Sequence, residues 1–254
     1  MNLCDFYDAE LARHHGHLLA AMQVKSSDQV LDIGCGAGQT SRDAASMAAA
    51  GAVLGIDISA EMIDAASDRA EQAGLRNVTF HCADAQEHSL PPAQFDLCIS
   101  RFGVMFFSDP VVAFKNIGRA MRPDGRLVWM VWQNQERNQW TNELRRVPLP
   151  RHPDNSDVPP AFSLGDTAKT IDMLEEAGFG SIAFAAVQEP VFYGADVNAA
   201  FDALVSLQIC RAHVAGDDAQ QALRNMLEAH LTAEGVLFDS NAWIITARRH
   251  VAGY

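Results

Sequence analysis

Apolar residues along the first half of the chain alternate between two periods. Asp8 to Met22 places Leu11, His15, Leu18, Leu19 and Met22 at helical spacing, which predicts an amphipathic helix. QVLDIG (Gln29–Gly34) is a short apolar run closed by glycine and predicts a buried strand. The pattern repeats: an alanine-rich helix over Thr40–Ala50, a strand over Ala52–Ile58, a helix that Ser59 caps and Gly74 ends. Strands follow over Val78–Asp84 and Phe95–Ser100, then a helix over Val111–Met121, a turn at Arg122–Gly125 and a fifth strand over Arg126–Trp132. Strands apolar throughout and separated by helices predict a parallel sheet covered on both faces, an α/β fold.

The second half has a looser pattern. A short helix is expected over Asn138–Val147 and a proline-rich loop over Pro148–Pro160. A helix over Thr167–Ala177 stops at Gly178, and a strand runs over Ser181–Gln188. Two helices over Asn198–His213 and Asp217–Ala233 precede a last strand over Ala242–Arg249. These elements suggest one domain over residues 1–254. Its core would be about 24–133, 166–189 and 240–249. Helical cap insertions would occupy about 134–165 and 190–238, with a lid helix over 5–23.

Composition narrows the partners. The chain has 254 residues, 48% hydrophobic, with 19 Lys+Arg against 32 Asp+Glu, for a net charge of −13. That balance opposes nucleic-acid and anionic-membrane partners, whose binding needs clustered cations. Arg145, Arg146 and Arg151 form a small basic cluster that reads as a solvated face. The N-terminus lacks the apolar core of a signal peptide, and no apolar run is long enough for a membrane span. Cys4, Cys35, Cys82, Cys98 and Cys210 are scattered and never in a CxxC pair. A disulfide framework or structural zinc is therefore not expected, and a reducing cytoplasm fits best.

Candidate chemistry concentrates in VLDIGCGAGQT, where Gly34, Gly36 and Gly38 lie between a strand and a helix. Glycines there permit a tight turn and close approach of a ligand to the backbone. The loop is not a Walker A loop, because no GK[ST] follows. It is not the dinucleotide fingerprint either, because Gln39 stands where a third glycine would be. Asp32, just before the loop, would repel a pyrophosphate and attract an ammonium or sulfonium. Asp57, closing the second strand, is placed to accept both ribose hydroxyls. Asp84 is placed to accept from an adenine amine, with the Ala85 N–H donating to a ring nitrogen and Ile58 and Met62 covering the adenine faces. A ligand with an ammonium, a ribose and an adenine is S-adenosylmethionine. Cys35 has no evident partner base and reads as a small filler of the loop it shares with Gln39.

VLDIGCGAG, GIDIS, CADAQ, FDLCIS and RPDGRLVWMVW, in this order and spacing, resemble the motif series of class I SAM-dependent methyltransferases. The stretch from Ser100 to Leu127 is also similar to the ubiquinone/menaquinone biosynthesis methyltransferase-like group. The resemblance covers roughly residues 28–133. It implies a Rossmann-like seven-stranded sheet, mostly parallel, with an antiparallel last strand. It puts Asp32, Gly34, Gly36 and Gly38 around the methionine moiety, Asp57 on the ribose, Asp84 and Ala85 on the adenine, and the Arg101 backbone near the ammonium. Asp124 stands where a second glycine is common in the family's turn.

Methyl transfer from a sulfonium is an in-line displacement from an activated donor, so alignment and exclusion of water dominate. A general base is needed only where the acceptor must lose a proton. Tyr7, His14 and His15 are the candidates for that role. His14, His15 and His17 announce no third metal ligand, and no metal is expected. Phe102, Met105 and Phe106 follow the fourth strand, and Trp132 and Trp140 flank the exit of the fifth; these five are candidate lining for a substrate pocket. A cap rich in Leu, Phe, Val and Ala favours a lipophilic or aromatic small-molecule acceptor. The other readings are an NAD(P)-binding oxidoreductase, a non-catalytic SAM-binding protein and a nucleic-acid methyltransferase. Asp32 and the glycine spacing oppose the first, the near-complete motif set the second, and the charge balance the third. A homodimer is left open.

Overall fold

A computed structural model describes residues 3–146, 160–206 and 216–250. The proline-rich loop, Arg151, Cys210, the far end of the Asn198–His213 helix and the side chains of Arg145 and Arg146 lie outside what it describes.

Two compact units are present. One takes His15–Gln133, Pro160–Val187 and Ala242–Tyr254, and the other Met1–His14, Asn134–Pro159 and Gln188–Asn241. The first holds a seven-stranded sheet. Its strands in chain order are β1 (Gln29–Ile33), β2 (Ala52–Asp57), β3 (Val78–Cys82), β4 (Phe95–Arg101), β5 (Met121–Trp132), β6 (Phe179–Gln188) and β10 (Asn241–Arg249). Across the sheet they run β3-β2-β1-β4-β5-β10-β6. The pairs among β1 to β5 are parallel, and β10 runs antiparallel to β5, with Ile244 opposite Met130. The expected mostly parallel, Rossmann-like sheet is the one observed.

The continuous apolar runs have the cause expected of them. Val30, Leu31 and Ile33, Leu97 to Ile99 and Leu127 to Val131 are all buried, so both faces of the central strands are covered. Helices α3 (Gln39–Met47), α4 (Ala60–Gln72), α5 (Pro110–Ala120) and α7 (Thr167–Glu176) belong to this unit. Phe114 of α5 packs against Trp129 of β5, ring centroids 4.8 Å apart.

Helix starts follow the side chains that cap them. The Ser59 hydroxyl accepts from the Met62 N–H, Asp109 accepts from Val112 with Pro110 in the first turn, and Asp166 accepts from Ala168 and Lys169. Ser59→Ala should cost about 1 kcal/mol. A thermal melt should show a drop of roughly 2–4 °C in Tm; an unchanged melt would mean the cap contributes nothing.

Two expectations need correction. The first helical pattern is two helices, α1 (Leu3–Glu10) and α2 (Ala12–Met22), because the chain breaks at Leu11. The insertions are not wholly helical. Besides α6 (Gln139–Arg146), α8 (Val197–Ser206) and α9 (Asp217–Ala229), the second unit contains a three-stranded antiparallel sheet. Its strands are β7 (Val191–Gly194), β8 (Leu231–Thr232) and β9 (Gly235–Phe238), with β9 in the middle. These strands are two to four residues long, too short for a period to register. Tyr193 and Phe238 meet edge to face at 5.3 Å, and Phe6 of α1 lies 5.9 Å from Tyr193, which gives this unit its own aromatic core.

The Arg122–Gly125 tetrapeptide loops out within the β5 pairing. Phe95 pairs with Met121, but Leu97 pairs with Arg126. Asp124 takes φ +59°, the left-handed conformation a glycine would adopt more readily.

Candidate cofactor site

The order β3-β2-β1-β4-β5 makes the chain travel outward from β1 and return to its other side at β4. Helices after β1 and β4 leave in opposite directions, and the crevice between those two strand ends is where such sheets bind ligands. Two glycines close it at the bottom. A Cβ on Gly34, after β1, would lie 2.6 Å from the Gly103 Cα, and one on Gly103, after β4, 2.5 Å from the Ile33 carbonyl oxygen. Gly36 differs: its φ is +52°, yet a Cβ there would meet nothing within 4 Å. Gly34 is glycine for space and conformation together, whereas Gly36 leaves its open side to a ligand.

Under this loop lies Asp32, fully buried. Its Oδ2 accepts from the Ser41 hydroxyl at 2.5 Å, and its Oδ1 has no hydrogen-bond partner. Burial pushes the carboxyl up to about 7; the Ser41 hydrogen bond and the Arg101 charge pull it down, and Asp57 pushes it further up. A buried carboxylate with an unsatisfied oxygen is a group awaiting a cation or a donor.

Asp57 braces the loop. Its Oδ2 accepts from the Gly36 N–H and its Oδ1 from the Ser59 N–H, both at 2.9 Å. Each oxygen keeps a second lone pair for a further donor. Ile58, next along, is 75% exposed, an isoleucine that the protein itself leaves uncovered. Met62 follows in the first turn of α4. Asp84 is exposed and caps its own turn by accepting from the Gln86 N–H. Asn116 of α5 holds that turn by donating to the Ala85 and His88 carbonyls, each at 2.8 Å. Cys35 is buried behind the loop, and burial first, then Asp32 and Asp57, push its thiol far above the usual range. It is therefore no nucleophile.

Arg101 ends β4 with a role that its sequence context did not announce. Its guanidinium donates to the Gln39 side-chain oxygen at 2.5 Å and lies 3.3 Å from His15 Nδ1, while His15 Nε2 is 2.7 Å from Asp43 Oδ2. The expected placement of Arg101 concerned only its backbone; its side chain and Asp43 escaped notice because the partners are 62 and 86 residues distant.

The remaining candidates divide between the two units. Phe102 (φ +59°) stacks on Trp132 with centroids 4.0 Å apart. Met105 is buried, and its sulfur accepts from the Trp132 N–H at 3.4 Å. Phe106 is 61% exposed. Trp140 is half-buried and belongs to the other unit, as do Tyr7 and His14. His14 is fully buried, with Nε2 2.9 Å from the Ser240 hydroxyl, which itself donates to the Glu189 carbonyl. His14 Nε2 is thus the donor to Ser240. Burial, with Glu10 adding to it, pushes the Tyr7 phenol above its usual 10.0. Among the described residues, no group of three or more His, Cys, Asp or Glu is arranged to hold a metal ion.

Residues 30–125 match the model of a methyltransferase domain family, and this stretch carries the glycine loop, Asp32, Asp57, Asp84 and Arg101. That stretch of the chain is similar to a methyltransferase domain. The chain is 36% identical over 104 residues to a ubiquinone/menaquinone biosynthesis C-methyltransferase of Bdellovibrio bacteriovorus, covering 41% of this chain and 44% of that one. It is 35% identical over 105 residues to the aklanonic acid methyltransferase of a Streptomyces strain, covering 41% and 48%. The matched stretches thus span about half the length of those relatives. The crystal structure of the YcgJ protein of Bacillus subtilis superposes with a TM-score of 0.67 at 20% identity, over 94% of this chain and all of that one. That likeness extends the shared fold beyond the matched stretch.

Proposed function

We propose that the chain transfers a methyl group from S-adenosylmethionine to a small-molecule acceptor, releasing S-adenosylhomocysteine. The observation that carries this reading is the buried Asp32 carboxylate, with an oxygen unpartnered, beneath a glycine loop that leaves open space at Gly36. These residues fit the cofactor. Asp32 suits its cationic end, Gly34, Cys35, Gly36, Gly38 and Gln39 form the wall along its methionine portion, and Asp57 offers lone pairs to the ribose. Asp84 and the Ala85 N–H suit the adenine edge, with Ile58 and Met62 against its faces. When bound, the cofactor supplies a methyl group on a positively charged sulfur. The protein's share is to hold that donor in line with an acceptor and to exclude water.

An apolar acceptor is favoured by the aromatic and thioether side chains after β4 and β5 of the sheet unit: Phe102, Met105, Phe106 and Trp132. The relatives named for ubiquinone/menaquinone and for aklanonic acid support a small metabolite as acceptor. The net charge of −13 disfavours polyanionic acceptors. The same reading places the enzyme in the cytoplasm, without a nucleic-acid or membrane partner.

Titration calorimetry with S-adenosylmethionine, S-adenosylhomocysteine and NADH tests the cofactor: binding of the first two and not the third is expected. Incubation with methyl-labelled S-adenosylmethionine and a metabolite extract, read by mass spectrometry, tests the transfer. Binding of NADH alone would overturn the reading in favour of an oxidoreductase, and tight cofactor binding with no labelled product would favour a non-catalytic binder.

A further inference from the structure

His15 is an unusual residue to bury on the apolar stripe of a helix, between Leu11 and Leu18. Its ring is held from both sides. Nε2 lies 2.7 Å from Asp43 Oδ2 on α3, and Nδ1 lies 3.3 Å from an Arg101 nitrogen on β4. Arg101 has no acceptor to offer, so His15 Nδ1 takes the hydrogen bond and Nε2 carries the proton toward Asp43. Gln39, at the start of α3, accepts from the same guanidinium nitrogen. The guanidinium is thereby fixed by an oxygen and a nitrogen from α3 and α2, on the strand next to β1. Asp32 pairs in register with Ile99, two residues before Arg101.

We propose that His15 and Asp43 are positioning residues: they hold the Arg101 guanidinium, on the strand beside Asp32, where its charge favours the carboxylate form that a cationic ligand requires, without themselves touching that ligand. This deepens the cofactor reading given above and rests on it for the ligand's identity. The groups that face Asp32 are Ser41 from α3, Arg101 and Cys98 from β4, Cys35 from the loop and Asp57 from β2. The thiols take no part near neutrality, since burial pushes Cys98 up to about 12 and Cys35 further. Of the rest, Arg101 is the one cation. Ser41 is fixed by its own hydrogen bond, and Asp57 acts in the opposite direction. Displacing the guanidinium therefore removes the charge that favours ionisation, and the carboxyl retains its proton to higher pH.

The test needs no ligand. Infrared titration of the whole chain reads the protonated-carboxyl band that disappears in Asp32→Asn. In the parent chain the band is expected to titrate near pH 7. In His15→Leu, which keeps the stripe apolar, and in Asp43→Ala, whose side chain is 40% exposed, the midpoint is expected to rise by about one unit, a tenfold change in the proton equilibrium. His15→Gln, which restores an acceptor for Arg101, should return it toward the parent value. Calorimetry with S-adenosylmethionine should show the same order: about tenfold weaker binding near pH 6.5 for the two disruptive variants, converging with the parent by pH 9. An unchanged infrared midpoint in both variants would overturn the relay, and so would weakening that is equal at every pH. If the parent chain binds no S-adenosylmethionine, the cofactor reading fails, while the infrared midpoints still decide the relay.

Discussion

Replacing Asp32 with asparagine is expected to stabilise the ligand-free protein above pH 7 and to abolish its binding of S-adenosylmethionine. The two effects have one cause. The Asp32 carboxyl is raised from 3.8 to about 7, so between those values the folded chain holds a proton that the unfolded chain has released. Stability then falls as pH rises through that window and is level above it, where the full cost of an ionised buried carboxylate is present. A shift of this size corresponds to about 4 kcal/mol at most. The amide removes that cost, keeps an oxygen for the Ser41 hydroxyl, and leaves its own N–H groups without partners, which returns about 1–3 kcal/mol. A net gain of roughly 1–3 kcal/mol at pH 8.5, turning into a loss of about 1–3 kcal/mol near pH 4 where only the unpartnered amide remains, should be measurable by urea unfolding of parent and variant. The same substitution removes the one negative charge buried beneath the open side of the glycine loop. If Asp32→Asn binds S-adenosylmethionine as tightly as the parent, the carboxylate is not the cation's partner and the proposed site is wrong.

The second large effect is expected at Gly34. Alanine there must adopt φ +67°, a conformation costing a side chain roughly 1–2 kcal/mol. Its Cβ would also stand 2.6 Å from the Gly103 Cα, backbone against backbone, with no side chain free to turn away. The ends of β1 and β4 must separate, and a total loss of roughly 3 kcal/mol or more is expected. Gly36→Ala is the informative contrast. Its φ of +52° carries a similar conformational cost, but its Cβ enters open space. That variant should lose only this roughly 1–2 kcal/mol and fail mainly in cofactor binding, because its methyl group enters the open space assigned to the proposed ligand. Chemical denaturation and calorimetry on both variants separate the cases; equal stability of the two would refute the close-approach role of Gly34.

Much of the sheet unit was legible from local pattern. β1, β4 and the end of β5 are buried enough to read as continuous apolar runs, while β3, at the sheet edge, is not buried; each strand through β5 begins or ends within a few residues of its expected position. Ser59 and Gly178 mark helix ends for reasons confined to a few neighbouring residues. The break at Leu11 and the strands β7 to β9 were not legible. The first interrupts an apolar stripe that continues on both sides of it, and the second are too short to display alternation.

In the site, the acids and glycines were visible because they close strands, a position that sequence order reveals. What those acids bond to was not. Asp57 lends both oxygens to backbone N–H groups of the loop and the following turn. His15 and His14 are adjacent in sequence and alike in type, yet one ring meets Asp43 and Arg101 while the other meets Ser240.

The sequence alone therefore determined the element order, the parallel core and the set of carboxylates and glycines placed at strand ends, because periodicity and strand termination are properties of neighbouring residues. Only the tertiary structure decided which of those groups is charged, braced or open. Burial of Asp32, the Gly34–Gly103 approach and the grip on Arg101 join residues 28 to 86 positions apart in the chain. Their energies depend on distance and desolvation, which become defined only when the strands are side by side.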